Sequence, residues 1–596
     1  MQIISKEYKL SDFIKIPLSV SPVWASLLVF NKIIRALVPS FKVLATAAFI
    51  DTSINIFNGL ADRNQIILPL LYLFLLIIYG HFSYALFDLA GEKFKIKLTE
   101  TYRTAVMEKR AALEYRHIEN NDTMELINRI GGDPAGWISD GFDSLLYMAE
   151  LIIRVCSILF VLAAQVWWAA VIILIFSVPL FKIAIKSGKV TYEASKEAAA
   201  HTRRADYLKD VLTGRENAEE RALFGYSDAL NLKWHEKFMT AYKITFKAER
   251  RKLLKKKSAG IITLAISFLV VGVLIVPLSS GGISIGMFMG LVSAAFSLVQ
   301  TISWSLSYAI EEIIKHREFI RDFSNFARLS EKQGKTDLPA ESIAQPECIE
   351  FQDVSFAYPE TETMILKNFN LKLYAHKHYA FVGMNGAGKT TVTKLLTGLY
   401  DNYIGDILID GKNLRDFTQA ELKALFSVVY QDFAKYQIPM VDSIGIGNVR
   451  EMGADIENIE NAVQLLELNE AVKKLPDGLN TPLGKISESG VDISGGEWQR
   501  VAIARAIVNP APIHILDEPT AALDPAAESA VYEMFGKISK GKSTIFITHR
   551  LGAARLADII CVIADGHVAE QGSHDTLIKK GGIYAGLFES QRGWYI

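Results

Sequence analysis

Long stretches without charged residues in the first half of the chain most constrain its fold. Asp, Glu, Lys and Arg are absent from 64–87, from 155–181 and from 258–310. As a helix, the first stretch would span roughly 36 Å at 1.5 Å per residue, which is enough to cross a hydrocarbon core of about 30 Å. These stretches therefore predict a membrane α-helical bundle.

Turn signals divide the apolar stretches into six predicted transmembrane helices. The segment Pro277-Leu-Ser-Ser-Gly-Gly interrupts the longest stretch, and Trp167 and Trp168 place a turn near Gln165 because Trp favours the membrane interface. A more polar helix near the N-terminus completes the set. Within a predicted membrane domain of 1–322, the helices are expected near 22–57, 64–90, 140–164, 167–187, 258–277 and 284–310.

The distribution of basic residues predicts the orientation of the membrane domain. An even number of spans returns the chain to its starting side, and the segment 182–257 is dense in Lys and Arg whereas the predicted outer connections carry few. We expect a multi-pass protein of the plasma (cell inner) membrane with its N-terminus and C-terminal domain in the cytoplasm. A nucleic-acid patch is the competing interpretation of the basic run at Arg250. The balance of 64 Lys and Arg against 65 Asp and Glu, and the membrane helix that follows the run, favour a topogenic flank and no nucleic-acid partner.

Two long polar segments predict cytoplasmic extensions of the membrane helices. They cover about 90–135 and 187–255, and short contact helices are expected near Asn120 to Arg129 and Gly214 to Leu223. The first 20 residues lack an apolar core, so no cleavable signal peptide is expected, and they can form an amphipathic helix on the inner surface. Residues 323–348, with prolines and few aromatic residues, are the predicted linker.

A phosphate-binding loop begins the chemistry of the C-terminal part. The segment Gly383 to Thr390 has the pattern GxxxxGKT, after a short apolar strand and before a helical segment. Such a loop points backbone N–H groups at a polyphosphate, while its Lys neutralises the β/γ-phosphates and its Thr hydroxyl binds Mg²⁺. Taken alone, the motif also fits a glycine-rich turn. The predicted nucleotide-binding residues of the loop are Gly383, Asn385, Gly386, Ala387, Gly388, Lys389, Thr390 and Thr391.

Two further motifs strengthen the prediction of an ATPase that uses ATP and Mg²⁺. The apolar strand before Asp517 and Glu518 ends in two carboxylates, which suits a Mg²⁺ ligand and a base that polarises water. The segment Ser494-Gly-Gly precedes a helical run, and a helix N-terminus of this kind is a second anion site. The alternative for the first motif is a strand that ends in a polar turn. His514, inside the apolar strand, is interpreted as a satisfied strand histidine.

Over 349–596 the chain resembles the ATP-binding cassette (ABC) family residue by residue. The resemblance implies that Tyr358 stacks on adenine, that Gln431 senses Mg²⁺, and that His549 contacts the γ-phosphate. It also implies catalytic roles for Glu518, His549 and Gln431, Mg²⁺ binding by Thr390, Gln431 and Asp517, and nucleotide contacts across a dimer by Ser494, Gly495, Gly496 and Asp524. Ile493 and Glu497 depart from the Leu and Gln that are usual in the family signature.

The resemblance extends to the class of exporter half-transporters. It implies a bundle of six transmembrane helices with long cytoplasmic extensions, fused to an α/β P-loop ATPase of ABC type. One phosphate loop and one signature require a second half-transporter subunit. A homodimer is favoured because the catalytic positions are intact, and a heterodimer with a degenerate partner is the alternative. Three cysteines, Cys156, Cys348 and Cys561, predict neither a disulfide framework nor a metal site.

The motifs of the ATPase are similar to those of lantibiotic-type peptide exporters. No Cys precedes the first span, so an N-terminal cysteine-protease domain is not expected. We expect export of a peptide or amphiphilic molecule from the cytoplasm across the lipid bilayer; a lipid flippase or a multidrug exporter is the alternative. Charged residues on the first and third spans fit either a hydrated cavity or internal ion pairs. They are Lys32, Arg35, Lys42, Asp143, Glu150 and Arg154.

Overall fold

The computed structural model describes residues 3–301, 305–518 and 541–592, and the chain divides into two compact units. The helical unit comprises Met1–Arg110 and Glu125–Leu329. The cassette unit comprises Ala111–Met124 and Ser330–Ile596. A short segment of the first half of the sequence therefore belongs to the C-terminal unit.

Long α-helices form the helical unit, and several differ in extent from their sequence prediction. α6 begins after Asp133, whose side chain accepts a hydrogen bond from Gly136 N (3.0 Å). It contains one non-helical residue, Val166 (φ −145°, ψ 80°), at the position of the predicted turn. The helix bounds are α1 Asp12–Val20, α2 Pro22–Phe57, α3 Ile67–Ala112, α4 Tyr115–Glu119, α5 Asn121–Gly131, α6 Pro134–Thr213, α7 Ala218–Phe224, α8 Ser227–Ser279, α9 Ile285–Gln300 and α10 Leu306–Ala327.

The ends of these helices refine the predicted contact helices and linker. α5 (Asn121–Gly131) occupies the region of the predicted contact helix near Asn120 to Arg129, and the short helix α4 directly precedes it. The second predicted contact helix, near Gly214 to Leu223, corresponds to α7. α10 continues to Ala327, into the predicted linker.

The N-terminal helix α1 buries Phe13, whose ring lies edge-on to His316 with the centroids 5.7 Å apart.

Apolar helices with exposed apolar side chains make the helical unit membrane-integral. In the described residues, three helical stretches are long and apolar enough to cross a bilayer: Pro22–Phe57, Arg63–Ala112 and Pro134–Ile173. Two shorter apolar helical segments are Phe268–Ser279 and Ile285–Gln300. Leu68 and Phe160 are each 75% exposed. Large apolar side chains on the surface of long helices are stable in lipid and costly in water.

Close backbone approach joins α2 to α9. A Cβ atom at Gly286 would lie 2.3 Å from Ala47 O, and one at Gly290 would lie 2.9 Å from Val43 O. Asp51 of α2 accepts hydrogen bonds from Gly286 N (2.8 Å) and from Ser284 Oγ (2.5 Å) at the start of α9. Small residues at helix interfaces in membranes allow this approach.

The charged residues of the first and third predicted spans form internal contacts. Lys32 Nζ lies 3.9 Å from Glu150 Oε2, and Arg154 donates a hydrogen bond to the same carboxylate, which is 1% exposed. The guanidinium of Arg35 lies 3.8 Å from the ring centroid of Tyr84. Of the two alternatives for these charges, internal pairing therefore describes Lys32, Glu150 and Arg154.

Two β-sheets form the framework of the cassette unit. One is antiparallel with the order β2-β1-β4-β5; the other has the order β10-β9-β3-β8-β7-β6 and is parallel except for the β9–β10 pair. The strands are β1 Cys348–Phe356, β2 Leu366–Tyr374, β3 His378–Val382, β4 Ile404–Ile409, β5 Lys412–Asn413, β6 Phe426–Val429, β7 Ile513–Asp517, β8 Ser543–Ile547, β9 Ile559–Ala564 and β10 His567–Gly572.

The parallel strands place the predicted motifs at one edge of the six-stranded sheet. β3 and β7 both pair with β8, so the loops after β3 and β7 leave the sheet at the same end. Ligands of open α/β sheets bind at the carboxyl ends of such strands. The described helices of this part are α11 Lys389–Leu396, α12 Gln419–Leu425, α13 Met440–Gly445, α14 Ile456–Leu465, α15 Asn469–Lys474, α16 Gly495–Ile507, α17 Leu551–Ala554, α18 His574–Lys580 and α19 Ile583–Arg592.

Residues Ala111–Met124, here called the contact segment, are fixed to the start of the C-terminal chain by backbone hydrogen bonds. Glu114 N donates to Ser330 O (3.2 Å), and Lys332 N donates to Ala112 O (2.8 Å). An isolated antiparallel bridge joins Leu113 to Glu331. Residues 330–332 of the predicted linker are thus ordered against the contact segment within the cassette unit.

Candidate nucleotide site

The glycines of the phosphate loop hold conformations that side chains would prevent. The loop connects β3 to α11. Gly388 has φ 103°, in the left-handed region that favours glycine. A Cβ atom at Gly383 would lie 2.2 Å from Ile563 O of the neighbouring strand β9. The loop can therefore approach a ligand with its backbone alone.

Lys389 is buried by the loop that it belongs to. The residue is 5% exposed, and its Nζ donates to Gly383 O and Met384 O, both at 3.0 Å. Burial lowers the pKa of Lys389, although the carboxylates of Glu518 and Asp517 oppose that shift. A bound phosphate would replace these two neutral carbonyl acceptors with anionic oxygens, which form stronger hydrogen bonds with an ammonium.

Asp517 and Thr390 form an oxygen-rich pair beside the loop. Asp517 ends β7, is 1% exposed, and its Oδ1 lies 3.4 Å from Thr390 Oγ1. Burial raises the pKa of Asp517 to about 6, while the hydrogen bond from Thr390 opposes the shift. A carboxylate and a hydroxyl are ligands of the type that Mg²⁺ prefers, so these residues fit that ion.

Glu518 and His549 meet at the ends of β7 and β8. His549 Nε2 lies 2.6 Å from Glu518 Oε1. Glu518 has φ 48°, a conformation that is unfavourable for a non-glycine residue, and its N–H donates to Ile547 O (2.9 Å). Burial and the Lys389 charge lower the pKa of His549, against the effect of Glu518. The strained backbone of Glu518 places its carboxylate next to the imidazole of His549. Together the two side chains can orient a water molecule.

A cavity of about 430 Å³ collects most of the predicted catalytic and phosphate-binding side chains. Gln431 lines it together with the Glu518–His549 pair, although Gln431 follows a different strand, β6. The sequence did not indicate Ile365, which also lines it. The lining residues are Tyr358, Ile365, Asn385, Gly386, Gly388, Lys389, Thr390, Thr391, Gln431, Glu518 and His549.

The predicted signature residues lie elsewhere in the unit. Ser494, Gly495 and Gly496 form the N-terminal end of α16 and are not among the residues that line the cavity. Asp524 falls within 519–540, outside the described residues. Within the described part of the chain, the cavity therefore contains the phosphate loop but lacks the signature.

A capping box explains the unusual Glu at position 497. Glu497 N donates to Ser494 Oγ (3.3 Å), and Ser494 N donates to Glu497 Oε2 (2.8 Å). Glu and Gln can both accept the second hydrogen bond, so either residue completes the box. The departure from the usual family residue preserves the local structure of the signature helix.

Tyr358 is held on several sides. Its Oη lies 3.0 Å from Thr391 Oγ1, and its ring packs edge-on against Phe356 and Tyr400, with centroid distances of 5.2 and 5.7 Å. Lys394 Nζ lies 5.2 Å from its ring centroid. Sequence reasoning missed Tyr400 and Lys394, because neither belongs to a motif of the predicted site.

His514 is a buried residue of β7, and of its two ring nitrogens Nε2 has a hydrogen-bond partner whereas Nδ1 has none among the described residues, so the interpretation as a satisfied histidine holds in part. It is 1% exposed, and its Nε2 lies 3.0 Å from Lys542 Nζ. Burial, with a contribution from the Lys542 charge, lowers the pKa of His514 to about 3. The imidazole is therefore neutral and accepts a hydrogen bond from the ammonium.

Comparisons with known proteins agree with this geometry. The family described as ABC transporter matches residues 366–521. The chain is 29% identical to the subtilin transport ATP-binding protein SpaT of Bacillus subtilis, over 84% of this chain and 81% of the relative. It is 28% identical to the nisin transport ATP-binding protein NisT of Lactococcus lactis subsp. lactis, over 84% and 83%.

Two further similarities concern part of the chain and its fold. The ATP-dependent lipid A-core flippase of Escherichia coli (strain K12) is 38% identical, but over 41% of each chain. The fold is similar to the structure of a bacterial Atm1-family ABC exporter with ATP bound, with a TM-score of 0.74, 24% identity, and coverage of 94% of this chain and 98% of that one.

Proposed function

Because the chain is an ABC transporter with an exporter-type fold, we propose that it exports a peptide of the lantibiotic type from the cytoplasm, driven by ATP hydrolysis. The observation that carries the peptide assignment is the extent of similarity. The likeness to the two lantibiotic transport proteins covers 84% of the chain, and so reaches well beyond the cassette, whereas the likeness to the flippase covers 41%.

The geometry of the cavity, and of Asp517 beside Thr390, supports separate roles for these residues. Lys389 and the glycine N–H groups bind the phosphates, while Thr390, Gln431 and Asp517 hold Mg²⁺. Glu518 accepts a proton from the attacking water as general base, and His549 orients Glu518 and contacts the γ-phosphate. Tyr358 stacks on adenine. The bound Mg²⁺ supplies charge neutralisation at the phosphates.

A homodimer completes the site. Ser494, Gly495 and Gly496 do not line the phosphate-loop cavity of their own chain, which supports their supply by a second copy. The resemblance to the family adds Asp524 to the same contact. The second contact helix supports the same assembly, since Leu223 and Phe224 of α7 are 78% and 69% exposed in the described unit. Such exposure on a cytoplasmic extension is expected for a surface that a second subunit covers.

We propose that the transporter lies in the plasma (cell inner) membrane, with the N-terminus and the cassette in the cytoplasm. The basic cytoplasmic extensions support this orientation. Lipid flipping is the second candidate, and the similarity of the cassette to the flippase supports it.

Transport into inside-out membrane vesicles tests the proposal. With ATP and Mg²⁺, vesicles that contain the wild-type protein should accumulate fluorescently labelled subtilin or nisin precursor peptide, and the peptide should stimulate ATP hydrolysis. Glu518→Gln should bind ATP and hydrolyse it at least about 100-fold more slowly, because a missing general base costs about 10² to 10⁴ in rate.

Two outcomes separate the candidates. ATP-dependent movement of a labelled phospholipid, with no peptide effect on hydrolysis, would favour the flippase and reject the peptide assignment. Hydrolysis near the wild-type rate in Glu518→Gln would reject the role of Glu518 as the base, whichever cargo is moved.

A further inference from the structure

A cluster of aromatic and charged side chains connects Tyr358 to the contact segment. Tyr400 packs edge-on against Tyr358 and against Tyr115, with ring centroids 5.7 and 5.6 Å apart. The Tyr400 hydroxyl donates a hydrogen bond to Glu119. Tyr115 and Glu119 belong to α4, so one aromatic ring contacts both the candidate adenine platform and the contact segment.

Lys394 makes the same connection with a charge. Its Nζ lies 2.6 Å from Glu119 Oε1, 5.2 Å from the Tyr358 ring centroid and 5.6 Å from that of Tyr115. Burial acts to lower the pKa of Lys394, but the hydrogen bond from its ammonium to Glu119 contributes to a net increase. The ammonium is therefore charged at neutral pH and attracted to both rings.

Lys394 contacts Tyr358 from outside the nucleotide cavity. It is not among the residues that line the 430 Å³ cavity, which Tyr358 and the phosphate loop share. Tyr358 also borders a second cavity of about 610 Å³, where Glu119 and Asn120 of the contact segment are part of the wall. Asn120 donates a hydrogen bond to Glu360, two residues after Tyr358.

The contact segment is held firmly enough to act on this cluster. Backbone hydrogen bonds fix residues 112–114 to residues 330–332, and the Lys335 side chain donates to Leu113 O. α4 is thus held in front of its first residue by backbone hydrogen bonds, and at its last residue, Glu119, by the ion pair with Lys394. A displacement of α4 would change the position of Lys394 and Tyr400 against the Tyr358 ring.

We propose that Lys394 is a positioning residue for Tyr358, and that Glu119 of the contact segment sets the position of Lys394. The contact segment then controls how well the site binds ATP, through the adenine platform and not through the phosphates. The inference rests on the proposed stacking of adenine on Tyr358. It adds a route by which the first cytoplasmic extension changes nucleotide affinity.

Steady-state ATPase kinetics of the full-length protein in nanodiscs test this role. Lys394→Met keeps the length of the side chain and removes its charge, and should raise the KM for ATP about three- to five-fold with kcat within about two-fold. Glu119→Gln should shift KM in the same direction. Lys394→Arg should restore the wild-type KM. The double variant Lys394→Met/Glu119→Gln should exceed neither single effect, since both changes break one connection.

Two controls separate this inference from the proposed function. Lys372→Met removes an exposed lysine that pairs with Glu350 at 2.8 Å, and should leave KM unchanged. Tyr358→Ala should raise KM by itself and abolish the effect of Lys394→Met. If Tyr358→Ala raises KM but Lys394→Met does not, the positioning role is wrong and adenine stacking stands. If Tyr358→Ala leaves KM unchanged, the adenine assignment fails as well. A fall in kcat without a change in KM in Lys394→Met would also overturn the positioning role.

Discussion

Glu497 provides a quantitative test of how the signature helix is held at its N-terminus. In Glu497→Ala, the hydrogen bond from Ser494 N to the carboxylate at 2.8 Å is lost, and the N-cap keeps only the bond to Ser494 Oγ at 3.3 Å. Loss of half of a capping box costs about 1 kcal/mol, which lowers the melting temperature of a domain of this size by about 2 to 4 °C. If the same turn contacts ATP bound to the partner subunit, about 1 kcal/mol of lost contact lowers kcat/KM roughly five-fold.

The conservative change separates geometry from charge. Burial acts to raise the pKa of Glu497, but hydrogen bonds with Ser494 lower it overall, so the carboxylate is ionised at neutral pH. Glu497→Gln retains an oxygen that accepts the hydrogen bond and removes a negative charge next to the proposed triphosphate site. We expect a melting temperature near that of the wild type and a KM for ATP that is equal or lower.

An equivalent box on α12 supplies a matched control. Thr418 N donates to Glu421 Oε2 (2.7 Å), and Glu421 N donates to Thr418 Oγ1 (3.2 Å). Glu421→Ala should lower the melting temperature by about 2 to 4 °C, as Glu497→Ala does, but should not change ATP hydrolysis at 25 °C. Equal hydrolysis by Glu497→Ala and Glu421→Ala, at equal loss of stability, would refute the link between the Ser494 turn and the nucleotide.

Three other predictions concern assembly, pH and packing. Mixed dimers of a Lys389→Ala chain and a Ser494→Arg chain should keep one intact composite site and trap nucleotide with vanadate, whereas each mutant homodimer should not. If purified mixed dimers also fail to trap nucleotide, a shared site is excluded. The folded pKa of His514 is about 3, below the unfolded value, so its contribution to stability falls as pH drops below about 6.5, by about 2 kcal/mol between pH 6.5 and 5. Thermal unfolding from pH 7.5 to 5 should therefore show a smaller loss for His514→Gln than for the wild type, and an equal loss would contradict the shift. Gly290→Leu should separate α2 from α9 and reduce both folded yield and transport. Gly272→Ala should reduce neither, because a Cβ atom at Gly272 meets no atom within 4 Å. Equal folded yields of the two variants would contradict the close approach of α2 and α9.

The residues that the sequence could predict are those whose roles depend on local spacing. The phosphate loop around Lys389 and the acidic pair at the end of β7 follow from the order of local elements along the chain. The contact between Glu518 and His549 does not, because it requires β7 and β8 to be neighbours in the sheet. The resemblance to a family supplied the roles of both residues, and the structure added their 2.6 Å separation.

Tertiary contacts explain most of what the sequence left undecided. The predicted contact helix covered Asn120 to Arg129, close to α5, whereas the helix whose side chains contact Tyr400 and Lys394 is α4, Tyr115–Glu119. Its position depends on partners far along the chain, such as Lys394, which no local pattern identifies. The two alternatives for Lys32 and Glu150 were likewise inseparable from helical periodicity, since periodicity gives the face of one helix but not the charge opposite it.

The ordered contact between the contact segment and the start of the C-terminal chain has a consequence for recombination between transporters. A chimaera joined within 323–348 would transfer a cassette without residues 111–124, although the chain folds them as part of that cassette. Such a hybrid would oppose Lys394 with a foreign residue in place of Glu119 and lose the matched backbone bridge at Leu113. The transferable module of this protein is therefore discontinuous in its gene, and exchange of an active cassette requires two cuts in the first half of the sequence as well as one in the linker.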